Sequence, residues 1–68
     1  MFKVDAKAIR ALMAERKWTI TDLTHETRLH QKTCSKLVNG GEVNLKVLAT
    51  AAQIFNIDIE KLILKELI

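Results

Sequence analysis

Residues 19–40, TITDLTHETRLHQKTCSKLVNG, decide how this chain is read. They divide into two short helices joined by a tight turn at Arg28-Leu29-His30. Wound at roughly 100° per residue, positions 31–39 split into two arcs. Gln31, Lys32, Ser35, Lys36 and Asn39 share a polar, basic arc, while Thr33, Cys34, Leu37 and Val38 share the other. A helix that buries one arc and offers amides and ammonium groups on the other suits the major groove of DNA. The rest of the chain reads as the scaffold that holds this helix out.

Sixty-eight residues allow one domain, spanning residues 1–68, near the lower size limit for a self-sufficient core. The 49% apolar content argues that the core exists. There is no proline, and the two glycines are adjacent at Gly40 and Gly41, which predicts helices broken by few turns. No run approaches the roughly 18 apolar residues of a membrane span. Met1-Phe2-Lys3-Val4-Asp5 is too polar for a secretory signal. The single cysteine excludes an internal disulfide and fits a reducing cytosol. The net charge of +3 only mildly suggests a polyanionic partner, but its distribution is more telling. Arg28, Lys32 and Lys36 fall within residues 27–41, a span without a single acid.

Taken in order, the chain predicts five helices. Asp5 is a good N-cap for a first helix from about Ala6 to Lys17, with Ile9, Leu12, Met13 and Arg16 on one face. Trp18 reads as a core or junction residue. Thr19-x-x-Asp22 is a capping-box variant that starts helix 2. Its inner face of Ile20, Leu23, Thr24 and Thr27 carries two threonines, which should bond back to carbonyls of the preceding turn. His30 stands where the N-cap of helix 3 belongs, and Asn39-Gly40-Gly41 stop that helix. Cys34 reads as a small buried hydrophobe. Asn44 caps helix 4, Leu45 to Phe55, which lines one side with Leu45, Leu48, Ala51, Ala52 and Phe55. Asp58 caps a fifth helix from Ile59 to the end of the sequence. Ile59, Leu62 and Ile63 can cover the core; Leu64, Leu67 and Ile68 are surplus, which predicts a subunit interface and a homodimer.

The chain resembles the helix-turn-helix domains of Cro and the phage-lambda-type repressors. Trp18-Thr19, Leu23, Leu29-x-x-x-Thr33-x-Ser35-x-Leu37 and Asn39-Gly40 carry the likeness, followed by Leu45-x-x-Leu48-x-x-x-Ala52-x-x-Phe55-x-Ile57 and Leu62. The resemblance implies an all-α, five-helix, lambda-repressor-like domain with its helix-turn-helix at helices 2 and 3. It also implies a dimer on a two-fold operator and a cytoplasmic, nucleoid-associated protein of bacterial or phage origin. The family's base readers map to Gln31, Lys32 and Lys36, and its phosphate-binding Asn maps to Asn39. The chain departs from the pattern at three positions. Ile20 replaces a polar residue, often Gln, and His30 a small one. Arg28 replaces a turn glycine, so it must take positive φ, at about 1 kcal/mol, or reshape the turn.

Together these readings predict a sequence-specific DNA-binding transcriptional regulator, a repressor rather than an activator, that reads the major groove with helix 3. Gln31, Lys32, Ser35 and Lys36 are the candidate base readers. Arg28, Thr33, Asn39 and Lys46 are the candidate phosphate contacts, assisted by the amides that open helices 2 and 3. Double-stranded DNA and a second copy of the chain are the predicted partners, with room for a protein that controls activity. An antitoxin with the same fold and a protein-interaction module that leaves the basic arc idle are the alternatives. No nucleophile–base pair, carboxylate dyad, metal set or phosphate-cradling loop points to an enzyme or a cofactor.

Overall fold

Each helix begins where a side chain can accept the free amides of its first turn. In the computed structural model, which describes residues 1–64, Asp5 caps α1 (Ala6–Arg16), its Oδ1 accepting the Ala8 N–H at 3.4 Å. Thr19 caps α2 (Ile20–Thr27) through a full capping box. The Asp22 N–H donates to Thr19 Oγ1 at 3.3 Å, and the Thr19 N–H to Asp22 Oδ2 at 2.8 Å. His30 caps α3 (Gln31–Asn39), and Asn44 caps α4 (Leu45–Phe55) by accepting the Val47 N–H at 2.9 Å. All four starts fall where the capping residues predict, and the first helix ends one residue early.

The ends share one geometry. Lys17, Arg28, Gly40 and Asn56 each follow a helix with φ between 57° and 80°. After α1 and α4, two amides turn back to close the last turn. Trp18 N–H reaches Met13 O at 2.9 Å, and Ile57 N–H reaches Ala52 O at 3.0 Å. These bonds occupy carbonyls that the helix cannot itself satisfy.

The helices enclose a core of Ile9, Leu23, Leu37, Leu48, Phe55 and Leu62, each fully buried or nearly so, with Val4, Met13, Cys34, Val43 and two alanines around them. Each large side chain is worth roughly 1.5–3 kcal/mol in burial. Trp18 is half-buried beside the core, its ring 5.5 Å from that of Phe55. The Arg16 guanidinium lies over both rings, at 5.7 and 5.2 Å from their centroids. It also donates to Phe55 O at 3.1 Å, so a cation sits on the last carbonyls of α4. Thr24 and Thr27 bond back to Ile20 O and Leu23 O at 2.9 and 2.7 Å, as their inward position requires.

Three features differ from expectation. The fifth helix is a single 3-10 turn, Ile59–Leu62, without a side-chain cap from Asp58. Ile63 then takes an extended conformation, at φ −93° and ψ 124°. Asp5 N–H bonds Leu62 O at 2.8 Å, Leu64 N–H bonds Lys3 O at 2.9 Å, and Val4 bridges Ile63. Second, β1 (Phe2–Lys3) and β2 (Glu42–Val43) form a short antiparallel pair, with Phe2 opposite Val43. The N-terminal residues thus link the α3–α4 connection on one side to the 62–64 segment on the other. The leucine and isoleucine content of residues 59–64 favours a helix locally, but backbone pairing of residues 62–64 with Lys3, Val4 and Asp5 overrides it. Third, Leu45 is 51% exposed rather than inward. It sits about 60° around the axis from Leu48 and one turn before it, at the edge of the buried stripe. Leu67 and Ile68, assigned to a subunit interface, lie outside the described residues.

Thr27→Val should cost about 1–2 kcal/mol, because it strips the Leu29 N–H of its 3.3 Å acceptor at the turn. Thr24→Val removes only a back-bond and should cost about 0.5 kcal/mol or less. Urea midpoints of the two variants measure the difference, and equal values would mean that the Thr27 hydroxyl does not hold the turn.

Candidate nucleic-acid interface

The turn between α2 and α3 is built around Thr27, only 6% exposed. Its hydroxyl donates to Leu23 O, accepts from the Leu29 N–H and lies 3.6 Å from the buried Cys34 Sγ. The chain then reverses through Arg28 at φ 58°, so the arginine takes the left-handed conformation instead of reshaping the turn. Leu29 packs half-buried on the core. These contacts fix the angle at which α3 leaves α2.

The back of α3 is anchored by Cys34 and Leu37, both fully buried. Its front exposes Gln31, Lys32, Lys36 and Asn39, while Thr33 and Ser35 are half-buried at the edges. The expected arcs are therefore present, with Thr33 on the boundary. Asn39 Nδ2 donates to Ser35 Oγ at 3.1 Å, one turn earlier. That bond uses an acceptor site of the Ser35 oxygen and leaves its own O–H available as a donor. Ser35 and Asn39 act as one polar unit.

Lys36 is placed by the segment that follows its helix. Gly40, at φ 80°, ends α3, and the Gly41 N–H then bonds Lys36 O at 2.8 Å. A Cβ on Gly41 would lie 3.1 Å from both Cβ and Cγ of Lys36. The absence of a side chain at 41 thus lets the lysine stem run over the α3–β2 connection. Thr33, Lys36, Glu42, Val43, Asn44 and Val47 line a shallow recess there, with Met1 at its rim.

A second recess lies between α2 and α3, lined by Thr21, Thr24, His25 and Gln31. Thr21 and His25 were not among the residues expected at the site. Their four-residue spacing on helix 2 was legible, but which face of helix 2 adjoins Gln31 depends on the α2–α3 angle. Arg28 and Lys46 are exposed at two other edges, one ending α2 and the other in the first turn of α4. Among the described residues, no carboxylate pairs with Arg28, Lys32, Lys36 or Lys46; Arg16 lies 3.9 Å from Glu15, and His25 lies 3.9 Å from Glu26. Glu42 is the acid that shares the recess beside Lys36.

Cations and amide groups displayed on a helix with an apolar back can neutralise phosphates and bond base edges. The free amides at the starts of α2 and α3 add partial positive charge. No helix among the described residues is long and apolar enough to cross a membrane.

A family model described as the Cro/C1-type HTH DNA-binding domain matches residues 8–64. No curated protein and no solved structure matches the chain.

Relieving the left-handed arginine should stabilise the domain. Arg28→Gly is expected to raise unfolding free energy by about 0.5–1 kcal/mol, the side-chain strain removed less the entropy glycine adds to the unfolded chain. Thermal or urea unfolding checks this, and a destabilised variant would show that the Arg28 side chain contributes more than its backbone costs.

Proposed function

The chain belongs to the Cro/C1-type helix-turn-helix DNA-binding family, and from that membership we propose that it is a sequence-specific transcriptional repressor whose α3 reads the major groove. The observation that carries this reading is the acid-free front of α3, with Gln31, Lys32 and Lys36 exposed over a fully buried back. Gln31 pairs bidentately with adenine, and Lys32 or Lys36 donates to guanine O6 or N7. Ser35, polarised by Asn39, donates to an acceptor between them.

Arg28, Asn39, Lys46 and the amides opening α2 and α3 hold phosphates on either side of the groove. Thr33, at the boundary of the two arcs, reaches a phosphate by its hydroxyl. The chain works as a single DNA-binding domain in the cytoplasm. Two copies bind a two-fold operator with their α3 helices about 34 Å apart, one turn of duplex. Repression is then occlusion of a promoter. The copies meet through the apolar C-terminal residues, of which Leu64 is 37% exposed.

In vitro selection of bound duplexes from a random pool, at two salt concentrations, tests the reading as a whole. It should return a two-fold site and an affinity that falls steeply with salt. Gln31→Ala should then cost about 1–3 kcal/mol on that site and relax the choice at one base pair. An equal loss on random DNA would remove Gln31 from base reading. For the assembly, Leu64→Glu should shift the sedimentation profile from dimer toward monomer; an unchanged profile would place the interface elsewhere.

A further inference from the structure

The family's small residue before helix 3 is here a histidine, and its hydrogen bonding fixes what it can offer. His30 Nδ1 accepts the Lys32 N–H at 3.3 Å, as the N-cap of α3. A neutral imidazole has one acceptor nitrogen and one donor nitrogen. In that neutral form, with Nδ1 accepting from Lys32, the donor of the ring is Nε2–H. The two nitrogens lie on opposite sides of the ring, so Nε2–H faces away from the amides that Nδ1 caps. His30 is exposed, adjoins Gln31, and has no carboxylate partner among the described residues. The other histidine differs: His25 stands on α2 with Nδ1 3.9 Å from Glu26 Oε2, and caps nothing.

We propose that His30 is a specificity-determining residue, its capped ring presenting Nε2–H as a neutral donor that selects a purine N7 beside the base pair read by Gln31. The inference rests on α3 being the groove-reading helix. Both purines carry N7 in the major groove, whereas pyrimidines have no acceptor at that place. A donor on one fixed nitrogen contributes direction instead of charge, so its bond depends on an acceptor lying where the Nε2–H points. The cap holds the ring in place before DNA arrives, which reduces the ordering cost on binding.

His30→Ser separates the two roles, because serine is itself a good N-cap but is too short to reach a base edge from position 30. His30→Asn, another capping residue, is measured beside it. The probe is the duplex recovered by selection with the wild-type protein, in which each purine in turn is replaced by 7-deazaguanine or 7-deazaadenine, bases that lack the N7 acceptor. At one purine next to the Gln31 contact, the wild-type protein should lose affinity about three- to tenfold, the range of a single hydrogen bond. His30→Ser should lose none at that purine while keeping the wild-type unfolding midpoint. Equal deaza losses in both proteins, or no purine at which they differ, would overturn the proposal and leave His30 a cap alone while the groove-reading role of α3 stands. If the wild-type protein selected no sequence at all, the reading of α3 would fall and this inference with it.

Discussion

One hydroxyl group governs the geometry on which the interface depends. Thr27 Oγ1 stands at the junction of α2 and α3, bonding back to Leu23 O at 2.7 Å and receiving the Leu29 N–H at 3.3 Å. A buried polar atom is costly unless paired, and this one is paired twice. The same atom touches Cys34 Sγ, so the end of one helix, the turn and the back of the next are tied at a single point. Shift that point and the polar front of α3 turns with it. The stability of the turn and the placement of the α3 front therefore depend on the same residue.

The way the helices stop is a second constraint, since each chain reversal uses a left-handed residue. Glycine does this without strain at Gly40, and asparagine tolerates it at Asn56. Lys17 and Arg28 are less suited, and burial of the flanking apolar residues must hold them there. Under the function proposed above, the strain at Arg28 has a counterpart: an exposed guanidinium beside α3 adds to the attraction for a polyanion, at about 1 kcal/mol of fold stability. Gly41 shows the opposite economy. Its backbone could accept a side chain, but the Lys36 stem occupies the space.

Charge is arranged by omission as much as by placement. Lysines on a helix usually pair with acids one turn away, and α3 has none to pair with. Four of the eight acids are engaged elsewhere: Asp5 and Asp22 serve helix starts, and Glu15 and Glu26 adjoin Arg16 and His25. Asn39 donates to Ser35, which orders two short side chains without neutralising a cation. The result is a helix face whose lysines make no ion pair among the described residues, although Glu42 lines the same recess as Lys36.

Local chemistry was enough to place α1 to α4. Asp5, Thr19, His30 and Asn44 accept first-turn amides, Gly40 ends α3, and the 3.6-residue period sorts Leu23, Cys34, Leu37 and Leu48 inward. The polar front of α3 was legible for the same reason, because both arcs lie within nine residues of one helix. What tertiary structure alone decided involves partners distant in sequence. Val4 pairs with Ile63, Lys3 with Leu64, and Phe2 with Val43, and this pairing stops a helix that residues 59–64 would otherwise favour. The nearness of Thr21 and His25 to Gln31, and of Gly41 to Lys36, likewise depends on angles between elements. A helix satisfies its backbone from within and announces itself by period and caps, whereas a strand takes its hydrogen bonds from a neighbour that only the folded chain supplies.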